Sequence, residues 1–144
     1  MAVSPADFCL NVSGGRIIAA ALPGPATYLP CGTRLVYVPD AAAAPATAID
    51  AEPRGVLLPD IIARALPGLS PESAQKAWTG LEVVAKLTGT PILTVLRGMP
   101  PAELARMDAP RATVTWEAYR IALERFDTDD YWLALGRLAL TENS

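Results

Sequence analysis

Histidine is missing from all 144 residues. It is the side chain that titrates near neutral pH and the commonest metal ligand. Its absence excludes a Ser-His-Asp triad, a Cys-His pair and any zinc site built on imidazole. Cysteine is nearly missing too: Cys9 and Cys31 are too few for a four-thiolate site. Charged residues make up only 19% of the chain, below the usual level of about a quarter. Long apolar runs are lacking; the longest, residues 17–22, is far too short to span a bilayer. The first seven residues show neither a basic n-region nor a following apolar run, so no signal peptide is expected. These absences describe a soluble protein, cytoplasmic at synthesis, with Cys9 and Cys31 as free, buried thiols. No metal, cofactor or catalytic residue is expected.

What is present is enough apolar material for a core, 51% of residues, which argues against disorder throughout. The net charge of −3 and pI of about 4.9 argue against broad nucleic-acid binding, which needs a local excess of Lys and Arg. The chain changes character near Ser70. Residues 1–70 hold nine of the fourteen prolines, five acids and four bases, against ten acids and eight bases in residues 71–144.

In the first half, Phe8–Val12, Arg16–Leu22 and Arg34–Val38 read as strands, with Ser13-Gly14-Gly15 as a turn. Residues 41–55, AAAAPATAIDAEPRG, have the composition of an extended linker, since Pro45 and Pro53 interrupt the alanines. The second half reads as helical. A short helix is expected from Pro59 toward Pro67-Gly68. Ser70 and Pro71 open a longer one, with Glu82 and Lys86 paired on it and Gly89 as its stop. Further helices are expected at 91–97, at 101–107, from Thr115 through Phe126, and from Asp127 onward. In the last two, Trp116, Tyr119, Leu123 and Phe126, then Trp132, Leu135 and Leu138, supply the apolar sides. The expected fold is α+β: an N-terminal antiparallel β-meander module (1–40), an Ala/Pro-rich linker (41–55), and a helical domain (56–144) of four to six short helices.

Three local patterns bear on function. Residues 84–97 resemble a phage-repressor helix-turn-helix, with Ala85, Gly89 and Val95 at the small, turn and apolar positions. Such a motif would read DNA through Thr90, Thr94 and Arg97. The face it would present also carries Ile92, Leu93 and Leu96, which suits helix packing or a protein interface better than base edges. Asp127, Asp129 and Asp130 are clustered carboxylates, but no glycine or later glutamate completes a calcium loop, and a helix cap explains them. Trp78, Trp116 and Trp132 are core residues or, where exposed, interface anchors. A general acid–base pair of carboxylates stays open, although nothing in the spacing pairs two of them.

One resemblance covers about thirty-five residues. The segments Phe8–Ile18 and Tyr28–Asp40, with Pro30, Gly32, Leu35, Val36 and Val38 in a Pro-x-Gly-x-x-Leu-Val-x-Val frame, are similar to the N-terminal β-module of small tailed-phage proteins linked to tail fibres and tail assembly. That resemblance implies a structural or binding role in a virion or its assembly, with no active site. The expected function is therefore a non-enzymatic protein that binds other chains in a homo- or hetero-oligomer. The interface candidates are Ile92, Leu93, Leu96, Trp78, Trp116 and Trp132, with neither nucleic acid nor membrane as a partner. A small DNA-binding regulator is the alternative.

Overall fold

The computed structural model describes residues 4–41, 45–66 and 68–139. Strands occur at both ends of the chain and form two four-stranded antiparallel sheets. In the first, β1 (Cys9–Val12), β2 (Gly15–Ala19), β3 (Ala26–Tyr28) and β4 (Arg34–Pro39) lie in the order β1-β2-β4-β3. The second is built from β5 (Thr47–Pro53), β6 (Arg111–Trp116), β7 (Tyr119–Arg125) and β8 (Tyr131–Leu138), in the order β5-β8-β7-β6. Between β5 and β6 run α1 (Asp60–Arg64), α2 (Pro71–Thr88), α3 (Ile92–Gly98) and α4 (Pro101–Leu104).

The meander-plus-helical-bundle expectation is overturned by the C-terminal strands. Thr115 does not cap a helix, because Arg111–Trp116 and Tyr119–Arg125 pair in register from Arg111↔Glu124 to Trp116↔Tyr119. The spacing of Trp116, Tyr119, Leu123 and Phe126 fits a helix. The burial does not: Val114 and Trp116, then Ile121 and Leu123, alternate with a period of two. Residues 131–138 fail for a different reason. β8 is central, covered on both faces, and buried without a break from Trp132 to Gly136. A strand of that kind is apolar on both sides and carries no alternation to read. The expected linker also contains a strand, β5, whose seven residues pair with β8 from Thr47↔Arg137 to Pro53↔Tyr131. Pro53 is tolerated there because β5 is an edge strand. Residues 42–44 of that stretch and the expected stop at Pro67 lie outside the described residues.

The two sheets and α2 stack as three layers. Ile17, Leu29, Leu35 and Tyr37 of the first sheet and its loops meet Ile49, Ala51, Leu133 and Leu135 of the second. On the second sheet's other face, Ala48, Ala134, Ile121, Leu123 and Val114 meet the apolar side of α2 and Val95, Leu96, Met99 and Leu104. α2 is defined as its sequence suggests. The Ser70 hydroxyl accepts from the Ser73 amide at 3.1 Å, and Gly89 closes the helix at φ 66°. Among the described residues no helix is long and apolar enough to cross a membrane.

Close approach of α2 to β8 depends on Gly136. A methyl group there would overlap Val83 Cγ1 and come within 3.1 Å of Leu123 Cδ2. Gly136→Ala is expected to cost about 2 kcal/mol through overpacking. Adding Val83→Ala opens the space, so the loss in the double variant should fall short of the sum of the single losses by about 1 kcal/mol. Urea denaturation of the four proteins checks this; strict additivity would contradict the contact.

Candidate functional site

β5 runs Thr47-Ala48-Ile49-Asp50-Ala51-Glu52-Pro53, and its alternation sorts two kinds of side chain onto two faces. Ile49 and Ala51 enter the core between the sheets, while Ala48, Asp50 and Glu52 lie under α2. Asp50 is only 4% exposed. Its Oδ1 accepts from Thr27 Oγ1 at 3.3 Å and from Lys86 Nζ at 3.4 Å. Lys86 comes from α2 and reaches over the free edge of β5, donating also to the Ile49 carbonyl at 2.8 Å and the Ala26 carbonyl at 3.5 Å. A lysine so placed closes an edge that would otherwise offer unpaired backbone groups. The expected partner of Lys86 along the helix was Glu82. Its ion pair is instead with Asp50.

Among the described residues no donor is aimed at the buried Oδ2 of Asp50. Its neighbour is the carboxyl of Glu52, two residues along on the same face and within hydrogen-bonding reach. Two ionised carboxylates are both acceptors and cannot satisfy each other; one proton held by Asp50 and donated to Glu52 satisfies both. The electrostatics agree. Burial first, and then the charge of Glu52, push Asp50 up to about 7, against the opposing pull of Lys86. Burial also raises Glu52, with the charge of Glu82 adding to it, while the Asp50 hydrogen bond and Lys86 pull it back. Glu82 is raised by burial and then by the charge of Asp50. Three carboxyl groups thus share one ammonium at this corner of the fold.

Glu52 also faces outward. Beyond it the chain turns at Arg54-Gly55 and passes along α2 to α1, leaving a cavity of about 290 Å³. Glu52 and Gln75 line it, with Val56, Leu57, Ile62 and Trp78 as apolar wall. Gln75 is fixed by accepting from Trp132 Nε1 at 2.7 Å, and the Trp132 ring carries the Arg54 guanidinium at 3.9 Å. The cavity lining is apolar and open on this side: Val56 is 58% and Leu57 74% exposed.

The residues singled out from the sequence are scattered. Trp116 and Trp132 are buried, as is Leu96; Ile92 is half-buried against the α2 core. Leu93 is exposed, and Trp78, half-buried, is the one interface candidate at the cavity. Of the DNA-reading set, Thr94 and Arg97 are exposed on α3, whereas Thr90 is engaged by Thr88 Oγ1 at 2.8 Å and by Trp116 Nε1 at 3.4 Å. Asp127 caps no helix. It sits in the β7–β8 connection, takes both Arg125 nitrogens at 3.0 and 3.1 Å, and accepts from the Leu133 amide. Asp129 and Asp130 are exposed in the same connection. Among the described residues no group of three or more His, Cys, Asp or Glu is arranged to hold a metal ion. Cys9 and Cys31 are free thiols but exposed, because each lies away from the inter-sheet core.

Asp50, Glu52, Val56, Leu57 and Ile61 were not singled out from the sequence. The signal available was the alternation of Ile49 and Ala51 with Asp50 and Glu52, masked by the alanines and prolines on either side. No family model matches the chain, and no curated protein or solved structure matches it either.

Proposed function

We propose that the protein is a non-enzymatic binding protein that docks another protein chain at the cavity between residues 52–62 and α2. The observation that carries this reading is the pair Val56 and Leu57, two large apolar side chains that line a cavity and are left open to water, with exposed Ile61 following four residues later on α1. Exposed apolar groups gathered around a recess with a few fixed polar groups are the usual form of a docking site. The cavity is also firmly walled, since Leu58 and Ile62 anchor its outer segment on the α2 core. The setting we infer, from the likeness of residues 8–18 and 28–40 to tail-associated phage proteins, is the assembly of a virion.

A photo-crosslinking residue at position 57, compared with one at exposed Tyr119 on the far hairpin, tests the docking site in extracts of the source cells. Position 57 should give a discrete protein adduct that position 119 does not. With the captured protein purified, Leu57→Asp should weaken binding by at least about tenfold, the loss of one well-packed apolar anchor. Equal adducts from both positions, or unchanged affinity of Leu57→Asp, would reject the site.

A further inference from the structure

We infer that the anchor received by this cavity is a lysine side chain of the partner protein, its ammonium pairing with Glu52 while its aliphatic stem lies against Trp78 and Leu57. The inference rests on the docking reading above and says what the docked chain must carry. A cavity of about 290 Å³ is at the small end of ligand clefts, which run from roughly 300 to 1,000 Å³, and suits one long side chain. Its walls are apolar and aromatic, and its charged lining residue is an acid.

Charge complementarity decides the sign. The groups facing Asp50 and Glu52 are Glu82 and Lys86 from α2, and the Thr27 hydroxyl and Ala26 carbonyl from β3. On β8 the residue opposite Asp50 is Ala134, which carries no charge. Lys86 is already spent on Asp50 and on two backbone carbonyls, so it leaves the acid pair one positive charge short. The buried, unpartnered Oδ2 of Asp50 marks the same deficit from inside the protein. In the free protein a proton can supply the missing charge only below about pH 7. An arriving ammonium supplies it from the cavity side, in place of that proton where the proton is held. A carboxylate ligand would add a fourth negative group, and a neutral chain would leave the pair as it was. Trp78 favours a cation over its face as well.

The test uses n-hexylammonium and the neutral 1-hexanol as probes, followed through the Trp78 indole resonance of the whole protein. At pH 8 the ammonium should bind about tenfold tighter than the alcohol, the worth of one charge-assisted contact. At pH 5.5 the acid pair holds its proton, and the preference should fall below about threefold. Glu52→Gln should remove the preference at both pH values, and the wild-type pH comparison stands alone should that variant fold poorly. The peptide acetyl-Leu-Lys-Leu-amide should bind more tightly than hexylammonium, and its norleucine counterpart more weakly than the lysine peptide. Equal binding of alcohol and ammonium at pH 8, or no binding of either, would overturn the inference. So would a peptide that gains nothing from its leucines, which would assign the cavity to a free amine. A partner that docks at position 57 yet shows none of this charge preference would leave the docking reading standing and reject the lysine.

Discussion

Asp50→Asn should make the protein more stable than the parent at pH 8 and leave stability at pH 4 unchanged. Below the ordinary carboxylate pKa near 3.8 both the folded and the unfolded chain hold the Asp50 proton. Between there and about 7 the folded chain binds the proton and the unfolded chain does not, so stability falls as pH rises through that window. Above about 7 both states have lost it and the penalty stays constant. A shift of this size corresponds to a ceiling of roughly 4 kcal/mol, and a proton shared with Glu52 lowers the realised gain to about 2 kcal/mol. Asparagine delivers the gain because its amide can donate to Glu52 as the protonated acid does, without ever ionising. Urea denaturation from pH 4 to 9 reads the result. Glu52 and Glu82 are raised for the same reason and should leave the variant a shallower slope of the same sign. A variant whose pH profile matches the parent's would show that Asp50 ionises normally.

Arg125→Met should cost about 3–5 kcal/mol, the loss expected when one partner of a buried ion pair is removed. The Arg125 side chain is 4% exposed. Its Nε and one terminal nitrogen grip both oxygens of Asp127, and the other nitrogen donates to the Lys76 carbonyl at 2.9 Å, Thr79 Oγ1 at 3.0 Å and the Met107 carbonyl at 3.3 Å. One side chain therefore ties β7, the middle of α2 and the loop after α4. Methionine fills the volume but takes the guanidinium donors away from the Asp127 carboxylate, the Lys76 and Met107 carbonyls and the Thr79 hydroxyl, leaving Asp127 with the Leu133 amide and no cation. Arg125→Lys keeps the charge but not the fork, and should lose more than half as much. Hydrogen exchange should speed up at Lys76–Thr79 and at residues 125–133 together. A loss below about 1 kcal/mol would mean that water replaces the guanidinium at no cost.

The helical punctuation of residues 70–89 was legible because Ser70, Pro71 and Gly89 act locally, through a hydroxyl cap and a left-handed stop. The turn at Ser13-Gly14 was legible for the same reason, Gly14 taking φ 71°. The C-terminal hairpins were not, because their turns carry weak local signals. The β6–β7 turn is Glu117-Ala118, with Glu117 at φ 52° where glycine or asparagine is usual. The β7–β8 connection is acidic, and acids before an apolar run read equally well as a helix start. Once β8 is buried on both faces, periodicity cannot separate it from a helix.

The site was hidden by the same ambiguity at β5. Asp50 and Glu52 alternate with Ile49 and Ala51, but two inward acids on an edge strand look like loop polarity until a helix is laid over them. Lys86, the residue that makes their burial tolerable, is thirty-six positions away from Asp50. Only tertiary packing brings them together. Trp116 and Trp132 have the size of interface anchors, yet the core takes both, and the open apolar groups lining the cavity are the aliphatic residues Val56 and Leu57.

The claim on which the site depends is that Asp50 and Glu52 hold one proton between them at the base of an open cavity. Following the two side-chain carboxyl carbons by NMR from pH 4 to 9 tests it most directly. Asp50 is expected to titrate near pH 7, with the Glu52 signal moving in the same step, as interacting groups do. Two independent titrations in the ordinary carboxylate range would contradict it.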